Sequence, residues 1–278
     1  MQIKHLKIVK YLAIIFLVIF ILFMLFPLYW TFNTAFKTLG EVNAVPPTFI
    51  PKKPTVESFA YLFSNKVATR SILNSIIISI SSTLLSVVIG SIAGYAFARW
   101  PKKAGGENLS FWILSVRMFP PVSIILPVYF IFNFLGVADT YFSLILTYLV
   151  FNLPLSIWLM MMFFGDVPKE LEEASYVDGH NPLKTFFKVT LPLVKPGLVS
   201  VTILCWIFAW NEYLFAYVIA GSNVRTFPLV LPTLAVGSFN FWNQVCAFTI
   251  IVIIPPIVLF IILRKYMVRG LTLGVVKG

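Results

Sequence analysis

Six apolar segments, each long enough to cross a lipid bilayer, dominate this sequence of 278 residues. A transmembrane helix needs roughly 20 mostly apolar residues. The segments that meet this requirement are 11–32, 72–97, 109–132, 142–163, 198–220 and 244–263. Only 11% of the residues are charged, against about 25% in a soluble globular chain. The sequence therefore predicts an all-α membrane protein with six transmembrane helices.

Lysine and arginine are sorted by loop, although the net charge is +11. Fourteen of them lie in segments on the same side as the N-terminus, and six lie on the other side. Cytoplasmic loops of membrane proteins carry an excess of basic residues. We therefore expect both termini in the cytoplasm, one transmembrane domain over residues 1–278, and a cytoplasmic tail at 264–278. The basic charge indicates orientation rather than binding to nucleic acid.

Prolines mark both a long outer loop and the interior of several spans. The loop at 37–70 contains a proline-rich stretch from Val45 to Pro54 and is predicted to be extended and semi-rigid rather than helical. It could be a spacer or a docking surface for an outside partner. Prolines at 120–121, 127, 154 and 255–256 interrupt the third, fourth and sixth spans. Irregular backbone at membrane depth favours a bundle around a pathway, with Pro120 and Pro121 as candidate pathway or gate residues.

The fifth span contains a polar group that is rare in a membrane helix. Its sequence at 210–213 is Trp210-Asn211-Glu212-Tyr213, and all four are candidate pathway or gate residues. Ionisable groups at this depth face the bundle interior, so Glu212 either bonds across helices or contacts a transported solute. Arg117 is the other charge within a span. Its estimated depth differs from that of Glu212 by about 10 Å, so no salt bridge between them is predicted.

Half of the ten acidic residues lie within thirteen positions between the fourth and fifth spans. They are Asp166, Glu170, Glu172, Glu173 and Asp178. Pro168 is typical of the first turn of a helix, and Asp178-Gly179 is a turn signal because glycine adopts positive φ. Asn181 followed by Pro182 is typical of an N-cap and the first position of a second helix. Residues 166–197 are therefore predicted to form a helix–turn–helix hairpin.

Both helices of this hairpin carry an apolar face. On the first helix, Leu171, Ala174 and Ser175 share one face at i, i+3, i+4 spacing. The stripe on the second helix consists of Leu183, Phe186, Phe187 and Leu191. A solvated loop has no need of such a stripe. It indicates contact with a protein partner or with the underside of the bundle itself.

These residues resemble the EAA loop of ABC-importer permeases. The resemblance is carried by ELEEASYVDG at 170–179, Phe186 and Leu191-Pro192-Leu193. Further matches are PLYW with Phe36-Lys37 near the first span, Asn74-Ser75, GYAFAR at 94–99, MFPP at 118–121, WNE at 210–212 and GLTLGVVKG at 270–278. Over nearly its whole length the chain is similar to the inner-membrane permeases of carbohydrate importers, of the kind paired in the maltose transporter. Ser175, where the family has its second alanine, and His180, where it has a small residue, depart from the pattern.

The resemblance implies a type I ABC-importer permease fold with a cytoplasmic coupling hairpin that docks on an ATPase. The residues that it implies for this coupling are Glu170, Glu173, Ala174, Ser175, Asp178, Gly179 and Phe186. It also implies that the tail contacts the ATPase through Gly270, Gly274, Lys277 and Gly278. Implied partners are a second permease in a heterodimer, two copies of the ATPase and an extracytoplasmic sugar-binding protein. The implied location is the prokaryotic inner membrane, and the implied activity is import of a sugar, with a di- or oligosaccharide favoured, by alternating access.

The chain has no motif for chemistry of its own. No GxxxxGK[ST] phosphate loop occurs, so ATP and Mg²⁺ are expected on the partner ATPase, with no cofactor in this chain and no enzyme activity. Cys205, Cys246, His5 and His180 lack ligand-spaced neighbours, so no metal site is predicted. The alternative, a stand-alone secondary transporter or channel, needs coupling carboxylates in several spans, and only Glu212 is available. An intramembrane enzyme needs a catalytic constellation at matched depth, and none is evident.

Overall fold

All regular structure in the described residues is helical, which confirms the predicted all-α class. A computed structural model describes residues 2–103, 106–235 and 241–273. The helices before the hairpin are α1 (Gln2–Ala35), α2 (Leu39–Val42), α3 (Glu57–Ser64), α4 (Lys66–Arg99), α5 (Gly106–Ser115), α6 (Pro121–Phe134) and α7 (Tyr141–Gly165). The others are α8 (Lys169–Val177), α9 (Pro182–Thr185), α10 (Leu191–Leu193), α11 (Lys195–Trp210), α12 (Leu214–Ile219), α13 (Phe227–Thr233) and α14 (Trp242–Leu273).

Within the described ranges, four helical segments are long and apolar enough to cross a membrane. They are Lys10–Ala35, Lys66–Arg99, Tyr141–Gly165 and Trp242–Lys265, and each contains one of the predicted spans. Two bent helix pairs raise the number to six if each pair is one span. The last helix, α14, continues to Leu273, past the predicted end of the sixth span at residue 263. The first part of the predicted tail is therefore helical.

The third predicted span, 109–132, is not one straight helix. After α5, a 3₁₀ turn at Val116–Met118 leads into a bend of 94° before α6. Phe119 has an extended backbone, which is the conformation that a following proline favours. Pro121 then occupies the first turn of α6, where a missing N–H costs nothing. The double proline thus ends one helix and starts the next.

The other prolines within the spans do not break their helices. Pro154 lies inside α7, and Pro255 and Pro256 lie inside α14. The predicted interruption of the fourth and sixth spans was therefore wrong. Membrane helices tolerate proline when neighbouring groups satisfy the freed backbone carbonyls.

The fifth predicted span, 198–220, is also broken. Its first helix, α11, ends at Trp210, and α12 begins only at Leu214. The carboxyl oxygens of Glu212 accept hydrogen bonds from the backbone N–H groups of Phe215 (2.9 Å) and Ala216 (3.1 Å). These amides have no partner within a starting helix, so Glu212 stabilises a new helix rather than lying within a continuous one.

Residues 70–229 and 255–278 form one compact unit. Within it, α7 packs against both α4 and α11. Two glycines of α4 permit a close approach to α7, since a Cβ atom at Gly94 would lie 2.8 Å from the backbone nitrogen of Met161, and one at Gly90 would clash with Ser156. The hairpin and the bend regions belong to this unit.

Residues 1–69 and 230–254 form the second compact unit. Lys37, only 2% exposed, donates to the backbone carbonyl of Thr48 and lies 4.5 Å from the centroid of the Trp30 ring. Glu41 accepts hydrogen bonds from Lys52 N–H (2.7 Å) and the Thr48 hydroxyl (2.8 Å). The Lys52 amide is the largest cause of a lowered pKa of the Glu41 carboxyl group. The single domain inferred for the whole chain stays a prediction.

The loop at 37–70 is more helical than predicted. Residues 45–54 are irregular, as their prolines require. Beyond Pro54, however, the chain forms α3, whose Ser58 and Leu62 are buried on one face. The prediction of a non-helical loop was wrong here, because the helix-breaking prolines end before an amphipathic stretch begins.

Candidate functional site

The acidic hairpin has the local structure that its turn residues predict. The first helix, α8, starts directly after Pro168, and Gly179 follows it with a φ of +81°. The side chain of Asn181 accepts a hydrogen bond of 2.8 Å from the backbone N–H of Lys184 and caps α9. The predicted helix, turn and second helix start are all confirmed.

A buried carboxylate joins the hairpin to the end of α4. Glu172 accepts hydrogen bonds from Arg99 Nε (2.9 Å), the Tyr95 hydroxyl (3.2 Å) and the Thr190 hydroxyl (2.9 Å). The side chains of Arg99 and Glu172 are only 6% and 4% exposed. Arg99 also donates to the carbonyl of Val167 at 2.9 Å. We call Glu172, Arg99, Tyr95 and Thr190 the Glu172 clasp.

The buried role of Glu172 was not predicted, because the other carboxylates of the acidic cluster suggest an outward docking surface. The sequence pattern also placed Ser175 on one face with Leu171 and Ala174. In the structure, Glu172 and Ser175 form the buried line of α8, whereas Leu171 and Ala174 are exposed. That prediction was wrong for Ser175. The signal available in the sequence was Arg99, a cation at the last position of a long apolar helix that needs a counterion.

Two residues that the family resemblance assigns to ATPase coupling are buried against the chain itself. Ser175 Oγ lies 3.0 Å from His180 Nδ1 and 3.0 Å from the Thr185 hydroxyl, inside the hairpin. Phe186 packs on Tyr95, with ring centroids 4.9 Å apart. Their described contacts support the hairpin from within. The role of both residues in coupling stays a prediction.

The outer side of the hairpin carries acidic and apolar residues, together with the exposed Lys169, Lys184 and Lys188. We define the hairpin face as these exposed acidic, apolar and small residues: Glu170, Leu171, Glu173, Ala174, Val177, Asp178, Gly179, Leu183 and Phe187. Val177 is 88% exposed, Leu183 68% and Phe187 56%. Apolar side chains this exposed, rimmed by carboxylates, mark an interaction surface. Five residues assigned to coupling by the resemblance, Glu170, Glu173, Ala174, Asp178 and Gly179, lie on this face.

The residues predicted for the pathway lie in different environments. Trp210 is 2% exposed and stacks on Trp206 with ring centroids 5.0 Å apart. Asn211 is exposed and donates to the backbone carbonyl of Ile207 (2.9 Å), and Tyr213 is exposed and stacks on Tyr217. Pro120 and Pro121 lie at the bend before α6.

Pro121 and Glu212 line one cavity of about 290 Å³. The other lining residues are Arg117, Tyr148, Phe151, Asn152, Phe208, Ala209 and Phe215. Arg117 donates to the backbone carbonyl of Phe151 (2.9 Å), and its guanidinium lies 4.5 Å from the centroid of the Phe208 ring. As their estimated depths predicted, no salt bridge joins Arg117 to Glu212, although both line this space. We call this space the Arg117–Glu212 cavity.

The remaining site predictions concern a metal site, the two cysteines and the tail. In the described ranges, no three His, Cys, Asp or Glu side chains are grouped as a metal site would require. Both cysteines are free thiols. Of the residues assigned to the tail contact, Gly270 lies in α14, and Gly274, Lys277 and Gly278 lie outside the described residues.

Comparisons with known proteins converge on one family. Residues 86–273 match the family model described as binding-protein-dependent transport system inner membrane component. The chain is 35% identical over 253 residues to the trehalose transport system permease protein SugB of Mycobacterium tuberculosis, covering 90% of this chain and 91% of that protein. It is 34% identical over 244 residues to the trehalose/maltose transport system permease protein MalG of Thermococcus litoralis, covering 84% and 87%.

A solved structure shares the fold. It is a bacterial ABC transporter involved in the import of the acidic polysaccharide alginate, with a TM-score of 0.80 and 24% identity over 94% of this chain and 96% of that chain. The family match includes both the hairpin and the residues of the Arg117–Glu212 cavity. The chain belongs to the binding-protein-dependent transport system inner membrane components, the permease subunits of ABC importers.

Proposed function

We propose that this chain is a permease subunit of an ATP-driven carbohydrate importer in a prokaryotic inner membrane, with both termini in the cytoplasm. The names of its relatives support a sugar, because they include transport systems for trehalose, for trehalose and maltose, and for sulfoquinovosyl glycerol. The distribution of basic residues supports the orientation. A di- or oligosaccharide is the proposed cargo.

The observation that carries this proposal is the rigidly anchored hairpin with its exposed face. The Glu172 clasp ties α8 to α4, and α9 runs through a π-helical turn and α10 toward α11. A force on the hairpin face is therefore passed to two long helices instead of being absorbed by a loose loop. Closure of a partner ATPase on ATP would pull the hairpin and switch the bundle between inward and outward openings.

The two helix breaks supply places where the bundle can rearrange. Residues 119–120 and 211–213 lie between helices and have no continuous ladder of helical hydrogen bonds. Hinges are commonly a few residues at the ends of helices, because they absorb changes in φ and ψ. We assign these two segments as the hinges of alternating access.

The proposed assembly supplies what this chain lacks. Its sequence has no phosphate loop, so two copies of a cytoplasmic ATPase would bind ATP and Mg²⁺. A second, different permease would complete the bundle, and an extracytoplasmic protein would deliver the sugar. This chain itself carries out no chemical reaction. Its own role is to present the hairpin face to the ATPase, to rearrange its helices and to line the pathway.

The first test is purification from native membranes in a mild detergent, followed by mass spectrometry of the bound proteins. We expect an ATPase at two copies and a second permease. Leu183→Arg places a charge on the hairpin face and should release the ATPase and abolish ATP-driven sugar uptake. Val45→Arg is the matched control, because Val45 is a 93% exposed aliphatic residue far along the chain; it should keep the ATPase bound.

Two results would count against this proposal. One is retention of the ATPase and of sugar uptake by the Leu183→Arg variant. The other is recovery of the wild-type chain alone from native membranes, which would favour a stand-alone secondary transporter and leave the hairpin face without a partner.

A further inference from the structure

The Arg117–Glu212 cavity holds two charged groups that do not pair with each other. No hydrogen bond or ion pair joins Arg117 to Glu212, although both line the same space. Of the five N–H donors of a guanidinium, the described residues accept one, at the Phe151 carbonyl. Each oxygen of Glu212 accepts one backbone N–H and retains capacity for a further donor. Charged groups within a membrane bundle face its interior or a water-filled cavity.

A buried hydroxyl in the same cavity lacks a well-formed hydrogen bond. Tyr148 is 3% exposed, and its hydroxyl makes no well-formed hydrogen bond with the described residues, although the Glu212 carboxyl group and the Thr226 hydroxyl lie close to it. An unsatisfied buried hydroxyl costs about 1–3 kcal/mol. A ligand hydroxyl bound in the cavity would satisfy it.

The remaining wall of the cavity is aromatic. Phe151 and Phe215 lie with ring centroids 4.3 Å apart, and Phe208 lies under the Arg117 guanidinium. Aromatic side chains supply large apolar surfaces, against which the C–H face of a sugar ring can pack. The volume of about 290 Å³ is at the lower end for ligand pockets, which range from roughly 300 to 1,000 Å³. The cavity is therefore suited to a single small ring rather than to a long oligomer.

We propose that the Arg117–Glu212 cavity binds one uncharged pyranose ring of the transported carbohydrate, so that this permease subunit contacts the cargo directly. Sugar hydroxyls both donate and accept, as the mixture of Arg117 donors, Glu212 acceptors and the Tyr148 hydroxyl requires. An anionic sugar would be repelled by the Glu212 carboxyl group, and a cationic sugar would be repelled by the Arg117 guanidinium. This inference rests on the proposed function and extends it to a ligand site.

The test is equilibrium binding to the whole importer complex in lipid nanodiscs, without its binding protein. The neutral probes are methyl glucoside, maltose and trehalose, with glucuronic acid as the anionic and glucosamine as the cationic probe. We expect the neutral probes to bind more tightly than both charged ones. Tyr148→Phe should weaken the binding of neutral probes about five-fold, the typical effect of one lost hydrogen bond, and should leave the melting temperature unchanged or raised.

Tyr217→Phe is the matched control, because Tyr217 is 64% exposed and does not line the cavity; it should bind the probes as the wild type does. Arg117→Lys keeps the charge but loses the planar donor fork, so it should also weaken binding. The inference is overturned if no neutral probe binds, if a charged probe binds more tightly, or if Tyr148→Phe binds like the wild type.

ATP-driven uptake, measured on the same complex in proteoliposomes with its binding protein, separates this inference from the proposed function. If ATP-driven uptake is present but Tyr148→Phe leaves sugar binding unchanged, only the assignment of the cavity as a sugar site is refuted. Absence of ATP-driven uptake of any sugar would instead remove the function on which the site depends.

Discussion

Replacing Glu172 with alanine should open the hairpin without disturbing the rest of the bundle. The change removes the acceptor of three hydrogen bonds, from Arg99, Tyr95 and Thr190. It leaves the Arg99 side chain, which is 6% exposed, buried without its counterion. Breaking a buried ion pair on one side costs about 3–5 kcal/mol, mostly because of the remaining charge.

The lower end of that range applies here. Arg99 keeps its hydrogen bond to the Val167 carbonyl, and its long side chain can shift toward water. We therefore expect a loss of about 3 kcal/mol for the Glu172→Ala variant. The double variant Arg99→Met with Glu172→Met removes both charges, and such replacements are often neutral. It should be more stable than the single variant.

Hydrogen–deuterium exchange of the α8 amides measures this local opening. A loss of about 3 kcal/mol corresponds to a roughly 100-fold faster exchange, at 1.4 kcal/mol per factor of ten. Glu173→Ala is the control, because Glu173 is the neighbouring carboxylate on the exposed face of α8; exposed substitutions stay within about 0.5 kcal/mol. Equal exchange rates in the two alanine variants would refute the clasp.

Three further changes test other parts of the structure. Gly179→Ala places a Cβ atom at a φ of +81° and should destabilise the hairpin by about 1 kcal/mol. Hydrogen–deuterium exchange of the α9 amides measures this loss, with Gly165→Ala as the control because a Cβ atom there meets open space. Equal exchange in the two variants would argue against the positive-φ turn. Gly94→Leu should lower the melting temperature by overpacking the α4–α7 contact, about 1–3 kcal/mol, whereas Gly40→Leu, with nothing within 4 Å, should not. The pKa of the Glu41 carboxyl group is lowered in the folded state. The ionised carboxylate therefore stabilises the fold above the unfolded pKa, and this stabilisation is lost as the pH falls through the folded pKa. Glu41→Gln should flatten the dependence of the melting temperature on acid pH, and identical pH profiles of variant and wild type would contradict this prediction.

Local patterns predicted the parts of this fold that local physics determines. The long apolar runs of α1, α4, α7 and α14 were identifiable because a lipid-facing helix needs no other signal. The hairpin turn was equally visible, since Gly179 is required by its positive φ and Asn181 by the open N–H groups of α9.

The Glu172 clasp could not be predicted in the same way. Arg99 and Glu172 are 73 positions apart, and nothing in a single sequence pairs residues across that distance. On α8, Glu172 stands among other carboxylates, which makes an exposed position the simplest expectation. Only the packing of the hairpin under α4 shows that one of these carboxylates is buried.

Of the two helix breaks, the one at Pro120 and Pro121 was predicted from its prolines, whereas the one at residues 211–213 was not. A sliding apolar window passes through residues 211–213, because the polar pair Asn211-Glu212 is short and lies between two apolar runs. The backbone instead responds to single groups: the ring of Pro120 and the carboxyl oxygens of Glu212, which start a new helix. The predicted fifth span therefore contained two elements, and no salt bridge joins Arg117 to Glu212 among the described residues, as their estimated depths predicted.

The contact between Ser175 and His180 explains how the chain departs from its family's motif without losing the hairpin. Without Ser175, the His180 ring nitrogen and the Thr185 hydroxyl would both lose this partner, and an unsatisfied buried polar group costs about 1–3 kcal/mol. Together, Ser175 Oγ, His180 Nδ1 and the Thr185 hydroxyl satisfy one another at 3.0 Å. The substitutions compensate on the inner side of α8, and the hairpin face offered to a partner keeps Glu173, Ala174 and Gly179. A hairpin can thus vary inside while the surface that would meet the ATPase stays the same.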